Sequence, residues 1–179
     1  MVNSLSGRFL LLTAAFVMLA EVLIFLPSVA RFREDWLLSR LERAQIASLA
    51  LLATDEMISE ELERELLATA GVFNVVLRRD EIRQLVLSSP VPAPIAATYD
   101  LRAPGLVALV RDALATLADP EDRVIRVIGD PVQAAGLLIE VTVATGPLRA
   151  AMVDYGVRIL FLSGIIAAVT AFLLFLAVR

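Results

Sequence analysis

The stretch MLAEVLIFLPSVARFREDWLLSRLERAQIASLALL, Met18 to Leu52, joins two kinds of helix in one run. Its first half belongs to an apolar segment, Phe9 to Ala30, that carries a single charge, Glu21. From Ser28 onward Trp36, Leu37, Leu41, Ala44, Ala47, Leu51 and Leu52 recur mostly at three- and four-residue steps, which puts them on one stripe of a helix. The reading is a membrane span that continues outward as an amphipathic helix. Two residues resist it, because a carboxylate in hydrocarbon is expensive and a proline breaks or kinks a helix. Pro27 is expected to kink the helix near the interface, where water can satisfy the freed backbone groups. Glu21 lies six residues before Pro27, about 9 Å deeper at 1.5 Å per residue. It is expected either to pair with Arg158, within or between protomers, or to face a bundle interior in protonated form.

A second apolar run, Ile159 to Val178, has no charge over 20 residues, the length that crosses about 30 Å of hydrocarbon. Hydrophobic residues make up 59% of the 179, against about 45–50% in soluble domains, and the mean hydropathy is +0.79. The expected organisation is a cytoplasmic tail over 1–8, a first span over 9–27, an extracytoplasmic domain over 28–157 and a second span over 158–179. Ser28-Val29-Ala30 resembles a signal-peptide cleavage site. The apolar run before it, however, exceeds the ~7–15 residues of such peptides, which favours an uncleaved anchor. Arg31, Arg33, Arg40 and Arg43 follow the first span, against the positive-inside rule. Glu34, Asp35 and Glu42 lie among them, and a long domain is translocated largely regardless of charge. Only Arg179 follows the uncharged run that ends at Val178, so a cytoplasmic part is expected to continue from it in the parent.

Chemistry is thinly represented. There is no cysteine or histidine, and all 16 basic residues are arginine, which removes the commonest general bases, nucleophiles and zinc ligands. No Gly-rich phosphate loop, paired catalytic carboxylates or nucleophile elbow occurs. No catalytic, cofactor-binding or metal-binding residue is therefore assigned. The segment Ser28 to Val157 holds 13 arginines against 19 acids, a net of −6, which argues against nucleic acid as a partner.

Within that segment Ser59 caps a short helix that ends at Gly71. Phe73, Val75 and Leu77 alternate and, with Ile82 to Leu87, form a hairpin around Arg78-Arg79-Asp80-Glu81. SSPVPAPIAATYD, Ser88 to Asp100, reads as a loop with three prolines. A helix follows over Ala103 to Leu117, then strands over Arg123 to Ile128 and Leu137 to Ala144, and Pro147 opens a helix running into the second span. The fold class is α+β: a small antiparallel sheet of four strands with flanking helices.

Three residue sets invite functional readings. Arg78, Arg79, Arg83, Arg102, Arg123 and Arg126 are candidates for an anion site, but Asp80, Glu81 and Asp122 interleave with them and favour a solvated surface. Asp55, Glu56, Glu60, Glu61, Glu63 and Glu65, with Arg64 among them, read as a wet helix face rather than a cation site. Ser163, Gly164, Ala167, Ala168 and Ala171 give small-xxx-small spacing, a candidate packing face for membrane helices.

The two flanks carry a resemblance. A-E-V-L-I-x-x-P-S at Ala20 to Ser28, F-R-x-x-W-L at Phe32 to Leu37 and P-L-R-x-A-M-x-x-Y at Pro147 to Tyr155 look like the membrane-flanking segments of sensor histidine kinases of alphaproteobacterial type. LLATAG at Leu66 to Gly71 and TYDLR at Thr98 to Arg102 sit where comparable segments are expected. The resemblance implies a PAS/Cache-like periplasmic domain between two inner-membrane spans, in a homodimer. In the parent it implies a HAMP-type linker, a phosphoacceptor helix and a kinase domain using ATP and Mg, with a response regulator as partner. None of those catalytic parts is present in this chain. The same input architecture could feed a chemoreceptor or a cyclic-dinucleotide enzyme. A two-span structural membrane protein and a secreted domain are the rivals from other classes. No stimulus or ligand is legible in the sequence.

Overall fold

Helix α1 (Leu5–Leu52) runs unbroken for 48 residues and passes through Pro27. At 1.5 Å per residue it is about 72 Å long. Pro27 has no N–H to offer the Leu23 carbonyl and its ring crowds that group, yet the helix continues on both sides of it. Next to the defect, the Ser28 hydroxyl donates to the Ile24 carbonyl at 2.7 Å. The computed structural model describes residues 5–52, 59–79, 82–131 and 138–178.

Helix α2 (Glu60–Ala70) is defined by its ends. The Ser59 hydroxyl accepts from the Leu62 N–H at 3.3 Å, and Glu60, Glu61 and Glu63 sit in the first turn, where carboxylates favour the positive end of the helix dipole. Gly71 closes the helix in the left-handed region, φ 69°, a conformation that costs other L-residues about 1–2 kcal/mol.

Five strands form the sheet: β1 (Asn74–Arg79), β2 (Ile82–Ser88), β3 (Ile95–Asp100), β4 (Val124–Gly129) and β5 (Leu138–Ala144), in the order β2-β1-β5-β4-β3. Helix α3 (Leu106–Ala118) connects β3 to β4, and those two strands pair in parallel while the other three pairings are antiparallel. The sheet is therefore mixed and five-stranded, not antiparallel and four-stranded as the sequence suggests. The missed strand, β3, lies within the segment read as a proline-rich loop. It begins one residue after Pro94, when no further proline interrupts the backbone N–H groups. A helical crossover returns the chain in the same direction, which makes the β3–β4 pairing parallel.

One face of the sheet carries the core. Val75, Val141 and Val127 align across β1, β5 and β4, and all three are buried. Leu77 and Ile139 form the next buried row. The side of α1 that meets this face presents Val29, Ala30, Leu37, Leu41, Ala44 and Ala47, with α3 and α4 (Thr145–Val178) packed alongside. At the end of β4 the approach is close enough that a Cβ on Gly129 would lie 2.6 Å from Leu41 Cδ1.

Helix α4 starts directly after β5 and is tied down at its first turn. The Asp122 carboxylate accepts from the Gly146 N–H at 2.7 Å, Thr145 Oγ1 accepts from the Arg123 N–H at 2.8 Å, and Arg149 donates to the Leu117 carbonyl at 3.1 Å. Leu148 and Met152 then enter the core with 0% exposure. Beyond them the character inverts: Phe161 on α4 is 70% exposed and Leu12 on α1 71%. Both helices are long and apolar enough to cross a membrane; exposed apolar side chains run from Leu12 to Ile24 on α1 and from Val157 to Leu176 on α4, while a few, Leu38, Ile46 and Leu49 on α1 among them, lie beside the domain.

Candidate functional site

Where α1 and α4 leave the domain they are clasped together. Phe32 stacks on Tyr155 with ring centroids 4.2 Å apart and planes 13° from parallel. Helical side chains lean toward the N-terminus of their own helix, so a ring from the outgoing α1 and one from the returning α4 meet between their turns. Nearer the apolar segments, Gly156 is buried, and a Cβ there would lie 3.3 Å from the Phe25 ring. Glycine allows this close approach. The clasp brings the two apolar segments side by side as they leave the core.

Two arginines of α1 sit inside the domain and were not singled out by sequence reasoning. Arg33 is 1% exposed; its Nε donates to Thr116 Oγ1 at 3.0 Å and its guanidinium lies 4.3 Å over the Tyr99 ring. Burial pushes its pKa below the ordinary arginine value, while Tyr99 and Asp112 act the other way. It thereby joins α1 to α3 and β3. The signal was available: Arg33 is three residues after Ala30 and four before Leu37, on the buried stripe.

Arg40, two turns further, lies 4.4 Å over the Trp36 ring and donates from Nη1 to the Ala70 carbonyl at 3.1 Å. It lines a cleft of about 340 Å³ at the corner of α1, α2 and the β5–α4 junction, together with Arg64, Phe73, Ser89 and Pro147. The left-handed Gly71 makes room for it, since a Cβ there would overlap the Arg40 guanidinium.

The candidates named from sequence whose side chains are described lie on different elements. Arg78 is exposed on β1, and the backbone register places Arg83 opposite it, while the side chains of Arg79 and Arg83 lie outside the described residues. Arg102 forms an exposed fork with Asp100, Arg123 pairs with Asp119 and Glu121, and Arg126 faces Glu140 at 3.9 Å. Among the described side chains, Arg102, Arg123 and Arg126 are each engaged by separate carboxylates. Arg158 pairs with Asp154 one turn back on α4 at 2.6 Å, and no hydrogen bond or ion pair joins it to Glu21 within the chain. The small residues Ser163, Gly164, Ala167 and Ala168 lie on the apolar part of α4; among the described residues, nothing beyond the adjoining helix backbone and chain neighbours lies within 4 Å of a Cβ placed on Gly164. The side chain of Ala171 lies outside the described residues, as do Asp55 and Glu56. Among the described residues no three acidic side chains gather as they would around a metal ion.

No family model, curated protein or solved structure matches this chain.

Proposed function

We propose that the chain is the membrane-anchored input region of a sensor histidine kinase. In this reading its central domain is a periplasmic, PAS/Cache-like sensor that passes a stimulus through two inner-membrane spans to a cytoplasmic kinase not contained in these 179 residues. One observation carries the reading. The helices that form the core beside the sheet are the same helices that extend as apolar rods, α1 from Leu5 to Leu52 and α4 from Thr145 to Val178. A shift of the domain against either helix cannot be absorbed by a loop and must appear at the far end. Such a displacement is a two-state element that a stimulus can bias.

The functional unit is a homodimer, with the small face of Ser163, Gly164, Ala167, Ala168 and Ala171 packing between protomers. Because Arg158 faces Asp154 and not Glu21 within one chain, the Glu21–Arg158 pair is proposed across the dimer. ATP, Mg and a response regulator belong to the kinase part.

Helical phase tests the proposal. Residues 1–179 are fused to the kinase region of a sensor with measurable autophosphorylation, and one to four alanines are inserted after Val157. Each insertion rotates the following segment by about 100°. Output is expected to vary with phase and to return toward the parent level at four insertions; output indifferent to phase would sink the proposal.

A further inference from the structure

The cleft beside Arg40 has the chemistry of an anion site. Arg40 and Arg64 line it, and among the described residues no acidic side chain does, in a chain whose net charge is −4. Arg40 is held in place by the Trp36 ring and the Ala70 carbonyl, and its Nε, shut off from solvent, finds no acceptor among the described residues. Burial pushes Arg40 below its ordinary pKa, and Arg43 adds to the effect, so an incoming anion relieves a cost the fold already carries. Arg64 on α2 contributes a second guanidinium; the neighbouring Glu63 is engaged by the Ser88 N–H at 2.8 Å. No ion pair among the described residues engages Arg40 or Arg64. The rest of the wall includes the apolar faces of Trp36, Phe73 and Pro147. A volume of about 340 Å³ falls within the roughly 300–1,000 Å³ of small-molecule sites.

We infer that this cleft binds a small carboxylate carrying a flat apolar group, with the carboxylate held by Arg40 and Arg64 and the apolar body laid against Trp36 and Phe73. Planar guanidinium forks match carboxylates. The inference deepens the sensor reading and rests on it for its consequence: an occupant touching α1, α2 and Pro147 at the start of α4 would draw the two signalling helices into a new relative position.

Trp36 is the sole tryptophan, so binding is read directly from its fluorescence in the full chain in lipid nanodiscs. Benzoate is the probe, with benzamide and inorganic phosphate as comparators. A saturable change with a midpoint below about 1 mM is expected for benzoate, and midpoints at least ~10-fold higher for the two comparators. Arg64→Gln, at an exposed position, is expected to weaken benzoate by about 10-fold or more while far-UV dichroism stays unchanged. No saturable response up to ~10 mM benzoate overturns the inference. So does benzamide or phosphate binding as well as benzoate, or Arg64→Gln binding like the parent. Phase-dependent output in the fusion without benzoate binding counts against the cleft alone. Benzoate binding that leaves fusion output unchanged counts against the sensor reading alone.

Discussion

Replacing Arg33 by methionine is expected to stabilise the domain. Arg33 is 1% exposed, and removing such a charge from water costs several kcal/mol even after relaxation. Its Nη2 adds to this, being buried without a hydrogen-bond partner among the described residues, at about 1–3 kcal/mol for such a group. Two contacts offset the cost. The bond to Thr116 Oγ1 at 3.0 Å is of the charged class, roughly 1.5–3 kcal/mol, and the placement over Tyr99 at 4.3 Å contributes about 2 kcal/mol when desolvated. Thr116 loses little on substitution, because its hydroxyl still donates to the Asp112 carbonyl at 2.8 Å. Methionine fills most of the volume with an adaptable apolar chain. The balance gives Arg33→Met a gain of about 1–2 kcal/mol in unfolding free energy. Arg33→Ala, which leaves a cavity, should fall below Arg33→Met by about 2–4 kcal/mol. Urea unfolding of the full chain in detergent micelles, followed by Trp36 fluorescence, measures both. A loss of more than about 2 kcal/mol in Arg33→Met would refute the reasoning, since the buried charge would then be net favourable.

Other perturbations test separate joints. Gly71→Ala should cost about 1–2 kcal/mol from the left-handed backbone, and its Cβ should displace Arg40 and change Trp36 emission; unchanged emission would contradict the described contact. Asp122→Ala removes the acceptor for the Gly146 N–H and should lower stability by about 0.5–2 kcal/mol, with faster amide exchange at the start of α4; exchange as slow as in the parent would show that the cap is dispensable. Asp100 is held down to about 2, chiefly by hydrogen bonds from Arg102, against roughly 3.9 for a free aspartate. A depressed folded-state pKa contributes stability above about pH 4 and loses it as pH falls toward 2. The melting temperatures of parent and Asp100→Asn should therefore differ by a small constant amount near neutrality, as suits an exposed pair, and converge in acid; a gap that persists to pH ~2 would contradict the assignment.

Much of the architecture was readable because local signals were strong. Ser59 and Gly71 bound α2 as their capping chemistry dictates, and the alternation of Val75 and Leu77 marked buried positions on β1. Strand β3 was hidden for a physical reason. It is an edge strand, largely exposed, and its Ala96-Ala97 pair is poor in the β-branched character that announces strands. The parallel pairing depends on where α3 packs, which no local pattern encodes. The cleft was illegible for a similar reason: Trp36, Arg64, Phe73 and Pro147 come from four separate parts of the chain. Arginine on a helix reads as solvated, which hides Arg33 and Arg40, although Arg33 falls on the apolar period. Arg78, Arg79 and Arg83 stand out by clustering at the hairpin, with Arg102, Arg123 and Arg126 as candidate neighbours in space, and in the fold Arg102, Arg123 and Arg126 each meet carboxylates.

The account depends on rigid continuity between the domain and its two apolar rods. Hydrogen–deuterium exchange of the full chain in nanodiscs, resolved at residues 28–33 of α1 and 146–149 of α4, tests this directly. Both segments are helical and carry core residues, Val29, Ala30, Arg33 and Leu148, so protection there should match that of the domain core at Leu37 and Met152. Exchange as fast as in an open loop at either junction would disconnect the domain from its helices and contradict the account.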